Sequence, residues 1–348
     1  MKYFPFLIAL IALSMVEFTS CSDSGAPSDG PDTTSHRIYW KPDSLGGPPS
    51  VLLDVWGTSQ TNVYAVGVLY GVGTGSGNFL IHYDGAQWSA IHDDSLSWWI
   101  AAGILAGIHG TSDTNIFVVG SRFNNNVTTG FVGRWNGRKW FNVSPDSSTS
   151  LLAVCVKNTS DVYVGGANGT ILHHNGSGWT QLQTGTTLDV NQIIGLTSGE
   201  VFAVASEYYN SLAGSAVLRL SSTGATMEHF FPIGAMFGLW GMTRSRLYVA
   251  GEGIYLQTDA GSWTQLTTPF PAVTFFSLCG TNENNIVTAG AYVAVGHWSG
   301  RTWMFYPDLY DRSSFKTYFK GFAVGNWYFL VGETGIRALI NVGFQSVP

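Results

Sequence analysis

Charge is scarce in this chain. Asp, Glu, Lys and Arg make up 11% of its 348 residues, against roughly 25% in an average soluble domain. Sixteen basic residues face 22 acidic ones for a net charge of −6, and no basic run of five exists. Nucleic acid is therefore not an expected partner, because phosphate recognition needs clustered cations. Strong helix formers such as Lys and Glu are few, while 43 Gly, 21 Phe, 15 Tyr and 13 Trp argue against a helical protein. There are only three cysteines, too few for a disulfide framework. The longest apolar stretch, Phe4 to Val16, falls short of the ~20 residues that a membrane-spanning helix needs.

What the chain does have is a repeat. One unit reads Leu53-Asp54-Val55-Trp56-Gly57, then Asn62-Val63-Tyr64-Ala65-Val66-Gly67, then Phe79-Leu80-Ile81-His82-Tyr83-Asp84-Gly85, then Gln87-Trp88. Its second element returns as Asn115–Gly120, Asp161–Gly166, Glu200–Ala205, Arg246–Gly251, Asn285–Gly290 and Trp327–Gly332. From Gly67 to Gly332 the intervals average about 44 residues, the spacing of propeller blades. The Asp84-Gly85 turn before Trp88 recurs as Asn136-Gly137 before Trp140, Asn175-Gly176 before Trp179, Asp259-Ala260-Gly261 before Trp263 and Ser299-Gly300 before Trp303. An Asp/Asn-Gly pair between β-rich runs signals a hairpin. The expected fold is all-β, a seven-bladed β-propeller of four-stranded blades. The last unit lacks an outer Trp strand, and an orphan strand, Arg37–Trp40, precedes the first. That segment is expected to complete the seventh blade and close the ring. In the fourth unit Thr226-Met227 replaces the tryptophan, which makes its outer strand the weakest expectation.

The turns resemble degenerate Asp-box (BNR-like) turns of sialidase-like propellers. The whole unit resembles the Trp-Gly/Val-Gly repeat propellers of secreted bacterial proteins, over about 310 residues. Lys2, the apolar stretch and Thr19-Ser20 before Cys21 resemble a bacterial lipoprotein signal. This implies a signal peptide over 1–20, lipidation of Cys21, a tether over 21–36 and the propeller over 37–348. The tether, with Pro, Asp and Ser and no large apolar residue, cannot bury enough surface to fold. The implied location is exported and lipid-anchored in the bacterial cell envelope, at the outer membrane.

Propeller topology separates two faces. Turns between first and second strands, and between third and fourth, lie on one. Blade-to-blade loops and second-to-third-strand loops lie on the other, and these vary most: Val68 to Asn78, Ser121 to Thr129 and Glu207 to Gly214. Loops on a rigid scaffold commonly carry function. The candidate ligand-binding residues there are Asp93, Asp94, Trp98, Trp99, Arg122, Glu207, Tyr208, Tyr209, Glu252, Tyr292, Asp308, Tyr310, Asp311, Arg312 and Glu333. Aromatic rings with carboxylates suit a glycan by stacking and hydrogen bonding, and Trp, Tyr and Arg equally suit a protein hot spot.

The expected role is a non-catalytic binding or scaffold propeller whose partner is a glycan or an envelope protein, acting as a monomer. A sialidase-like or other glycan-active enzyme is the first alternative; Asp308 with Asp311, or Glu252 with Glu333, would have to supply its two carboxylates. The second is an assembly or maturation factor, from a resemblance to the lipoprotein propellers that assist photosystem II assembly. No cofactor and no metal are expected. His82, His173, His174 and His297 fall on third strands of different blades, and Gly71 to Gly77 lacks the Lys of a phosphate loop. Cys155 and Cys279 align with Trp56 on opposite sides of the ring, so they should be buried free thiols.

Overall fold

The computed structural model describes residues 34–72, 78–91, 103–124, 127–145, 147–258 and 261–346. They form 28 strands and two single 3-10 turns. The strands make seven four-stranded antiparallel sheets. Six are consecutive in sequence, with inner strands Gly47–Ser59, Gly103–Ser112, Leu151–Asn158, Val190–Gly195, Met236–Gly241 and Phe275–Asn282. The seventh pairs Thr317–Val324, Trp327–Glu333 and Ala338–Gln345, and its outer strand is Ile38–Leu45 from the other end of the chain. The fold is a seven-bladed propeller closed by its N-terminal strand. Thr34, Ser35 and His36 add contacts to blades six and seven, through Asn284, Gln345 and His297.

The core is a ring of seven apolar layers, one between each pair of neighbouring blades. Side chains alternate along a strand, so each strand feeds two layers. Val63 and Ala65 of blade one pack toward Phe329 and Val331 of blade seven, whereas Tyr64 and Val66 pack toward Leu105 and Val118 of blade two. The blade seven–blade one layer is as apolar as the others, so the last interface repeats the rest. Cys155 lies in the layer between blades three and four, and Cys279 in that between six and seven; both are free and buried, and burial pushes both thiols up to about 12.

Two features of the repeat have a structural cause. Every inner strand shifts register at the same place, after Leu52, Leu105, Leu151, Val190, Met236, Phe275 and Tyr318. The residue opposite each shift is Gly67, Gly120, Gly166, Ala205, Gly251, Gly290 or Gly332. A Cβ on Gly120 would sit 1.9 Å from the Ile104 carbonyl oxygen, and one on Gly332 1.8 Å from that of Thr317. The glycine that ends six of the seven second elements thus makes room for an inner-strand carbonyl that approaches it beside the bulge. In the outer hairpins, Asp84, Asn136 and Asn175 each accept the backbone N–H groups two and three residues on, and Gly85, Gly137 and Gly176 take positive φ. The outer strands of blades one, two, three, five and six begin at Trp88, Trp140, Trp179, Trp263 and Trp303.

Blade four differs from its neighbours in a direction the sequence did not suggest. Its outer strand, Gly224–Phe231, is eight residues long, where those five outer strands have three each. Pairing from Ser221–Gly224 to Ser215–Phe231 replaces the missing tryptophan as the source of order.

Candidate functional site

The second-to-third-strand segments of blades one and two are more ordered than loops. Val68 to Tyr70 continues a strand, and Ser121 to Thr129 is largely a hairpin in which Arg122 pairs with both Gly103 and Thr129. The expectation of a loop there gives way because Val127-Thr128-Thr129 and Phe123 favour extended pairing. Asp93, Asp94, Trp98 and Trp99 lie outside the described residues.

The remaining candidates fall into three groups. Tyr292, Tyr310 and Asp311 gather in the blade six–seven connection: the Tyr rings meet edge-on at 6.5 Å, and Asp311 N–H donates to the Tyr292 carbonyl at 3.0 Å. The Asp311 carboxylate is consumed by its own turn, accepting from Ser313 N–H and hydroxyl, with Lys316 at 3.8 Å. These bonds hold it below the usual carboxylate range. Asp308 and Arg312 are exposed beside it. Glu252 stands next to the 231–235 turn, with Gly234 as its neighbour.

The third group lies at the rim of the axial channel. Tyr208 stacks on Phe276 with centroids 5.4 Å apart and planes 12° apart, and also touches Phe237. Tyr209 meets Tyr208 edge-on at 4.9 Å, and Phe276 meets Phe319 at 5.8 Å. Phe237, Phe276 and Phe319 are the bulged residues of inner strands five, six and seven. Tyr208, from blade four, therefore reaches across blade five to blade six. Desolvation on the side of the ring packed against the phenylalanines, then Tyr209 and Glu333, raise the Tyr208 phenol, and burial raises Glu333. Burial, then Asp189, raises Glu207. The three phenylalanines were not singled out from the sequence, although a Phe recurs in the same repeat column of three successive units.

Loop 207–214 is braced from below. Gly234 N–H donates to Ser211 O, the Ser215 hydroxyl donates to Gly234 O, and Met236 N–H donates back to Ser215 Oγ. The bracing leaves Tyr209 77%, Leu212 80% and Ile233 69% exposed. The other exposed apolar side chains are also distributed unevenly. Among the described residues, apart from those on outer strands and Phe344, all belong to the variable-loop side: Tyr70, Phe123, Val127, Tyr208, Tyr209, Leu212, Ile233, Phe315 and Ile336.

Inside the channel is a second polar set that the sequence reading missed. Asp54, Gln192, Ser277 and Lys320 share one column, the first residue after each bulge. Asp54 accepts Ile108 N–H of blade two at 2.9 Å, and Gln192 accepts Leu239 N–H of blade five at 3.0 Å. Two residues further on, His109 accepts Val156 N–H of blade three at 3.1 Å. These acceptors staple blade one to two, two to three and four to five. Burial lowers His109 to about 4 and raises Asp54 to about 6. His82, His173 and His297 are likewise structural: each bonds a residue at the start of its own blade's second strand, Asn62, Asp161 or Asn285. His297 has a further contact, His36, at 2.9 Å between Nδ1 atoms. No cluster fit to hold a metal occurs among the described residues.

No protein-family model matches the chain, and no curated protein does. Solved structures do. YCF48 bound to D1 peptide superposes with a TM-score of 0.64 at 17% identity, over 88% of this chain and 97% of that one. A catalytically inactive virginiamycin B lyase from Staphylococcus aureus with quinupristin gives 0.64 at 12%, over 89% and 100%. The extracellular domain of the one-component system BT4673 from B. thetaiotaomicron gives 0.59 at 12%, over 86% of this chain and 39% of that one. At these identities the likeness establishes the propeller fold. It reaches a protein bound to a peptide, a lyase and the extracellular domain of a one-component system alike, so it does not choose among roles.

Proposed function

We propose that the protein is a non-catalytic binding propeller that receives an apolar surface of a partner protein on its variable-loop face. The observation that carries this reading is the one-sided distribution of exposed apolar residues. Scattered single hydrophobes are normal on any surface, whereas a concentration on one face marks an interaction site. Leu212, Ile233, Ile336 and Val127 are aliphatic and offer no ring for a sugar to stack on, which favours a protein over a glycan. The braced loops lower the ordering cost of binding. The structure of YCF48 bound to D1 peptide is a propeller of this shape with a polypeptide partner, which supports the reading by analogy.

A glycan remains the second reading, on one observation: Tyr208 and Tyr209 form an aromatic platform flanked by Glu207 and Glu333. An assembly factor would be a particular case of the first reading. A glycan-active enzyme would need two carboxylates converging with an arginine. Among the described residues, no candidate carboxylate on this face pairs with an arginine. The proposed setting is the bacterial envelope, with Cys21 lipidated and the 21–36 segment as tether.

The test is a displayed-peptide library and a glycan array run side by side on the purified protein. Peptides rich in apolar residues should be enriched. Leu212→Ser with Ile233→Ser should weaken their binding by about tenfold or more, on the order of one hot-spot residue. Glycan hits without peptide enrichment would sink the protein-partner reading.

A further inference from the structure

We propose that the axial channel is a socket for a small zwitterion, a free α-amino acid whose carboxylate meets Lys320 and whose ammonium meets Asp54. This goes beyond the partner surface and is independent of it.

The channel encloses a cavity of about 290 Å³, at the small end of ligand pockets. It runs from Asp54, Asn191, Gln192 and Lys320 down to Trp56, Trp240 and Gly280 near the opposite face. Lys320 is anomalous in its column. Asp54 and Gln192 are acceptors there, as stapling the next blade requires, and Gly107, Ala153 and Gly238 are small. A lysine cannot accept. The backbone N–H that blade seven would staple, that of Val55, already donates to Asp54 Oδ1 at 2.9 Å. Lys320 instead crosses the channel to blade four, where Nζ donates to Asn191 O at 3.2 Å and to Gln192 Oε1 at 3.3 Å. Lys320 is half-buried in the channel wall, where an ammonium gives up part of its hydration, and nothing in the ring's construction calls for one.

The opposite charge is present but held away. Asp54 is fixed on the wall of blades one and two by Val55 and Ile108 N–H groups. Lys320 is fixed on blade four. Each senses the other's charge, yet they form no ion pair. Two opposite charges anchored on separate walls of one cavity are complementary to a ligand carrying both signs in reverse. The donor and acceptor count agrees. An ammonium has three N–H donors and a carboxylate about four acceptor sites. Lys320 uses two donors and Asp54 two acceptors, which leaves both with capacity. Ile193, Leu239 and Leu278 supply apolar lining for a ligand side chain.

The experiment is calorimetric titration of the whole protein with the common α-amino acids, with acetate and methylammonium as single-charge probes. At least one amino acid should bind, with acetate and methylammonium weaker by about tenfold or more. Lys320→Met should abolish binding of the amino acid and of acetate. Asp54→Asn keeps an acceptor for Ile108 N–H and should erase the preference for amino acid over acetate. The double variant, free of both charges, should stay folded by circular dichroism, which separates lost binding from lost structure. If no amino acid binds the wild type below about 10 mM, if acetate binds as tightly, or if Lys320→Met binds unchanged, the socket is wrong. None of these results touches the partner surface, which Leu212→Ser and Ile233→Ser report separately.

Discussion

At the scale of single residues, the repeated glycine and the channel charges behave in opposite ways. Gly332 is required because its Cβ position is occupied by the Thr317 carbonyl. Gly332→Ala must push two paired strands apart, so a loss of more than about 2 kcal/mol is expected in denaturant unfolding. Gly178→Ala, where nothing lies within 4 Å, should be within about 0.5 kcal/mol of wild type. Asp54 and His109 set a pH dependence. Asp54 is raised from 3.8 to about 6, so between those values the folded state holds the extra proton and stability falls as pH rises. His109 is lowered from 6.5 to about 4, so the unfolded state holds the extra proton and stability rises over nearly the same window. The two slopes oppose each other. Asp54→Asn removes the first, so the variant's stability relative to wild type should grow by about 2 kcal/mol between pH 4 and pH 7. A flat difference across that range would place Asp54 in a water-like environment.

At the scale of elements, the closing strand is the joint on which the ring depends. Ile38 packs into the layer between blades six and seven, and Trp40 meets Tyr306 at 5.8 Å and Tyr328 at 6.2 Å. Gly343 opposite leaves the space that the Trp40 ring fills. Removing residues 34–45 would expose the edge of Ala338–Gln345 and open that layer. A lower melting temperature is expected, recovered when a peptide of residues 34–45 is added in trans. A truncated protein that melts like wild type would show that blade seven stands on three strands. The strand was legible in the sequence because the count of units left one outer strand missing and one β-rich segment over. Blade four's outer strand is poorly legible in the sequence because it lacks the tryptophan that marks that strand in the other units. Backbone pairing with Ser215–Ser221 does the same work without it.

At the scale of the whole molecule, the division of the faces could be read from chain order, since strand direction in a propeller decides which loops share a side. Tyr208 and Tyr209 share that face and meet at the channel rim. Tyr292, Tyr310 and Asp311 share that face but form a separate cluster, because loops on one face can still lie on different blades. Lys320 and Asp54 escaped notice because a lone charge in a β-strand ordinarily points to solvent. Here the bulge that precedes each residue directs it to the axis.

The sequence by itself determined the repeat number, the strand that seals the ring, the positions of the turns and the buried state of both thiols. All of these follow from local pattern and from counting. The tertiary structure alone decided which residues of different blades meet: the Phe237–Phe276–Phe319 rim under Tyr208, the acceptor staples between inner strands, and the lysine reaching from blade seven to blade four. Those contacts join positions up to 129 residues apart, and they depend on a shared register around a closed ring, which no local pattern encodes.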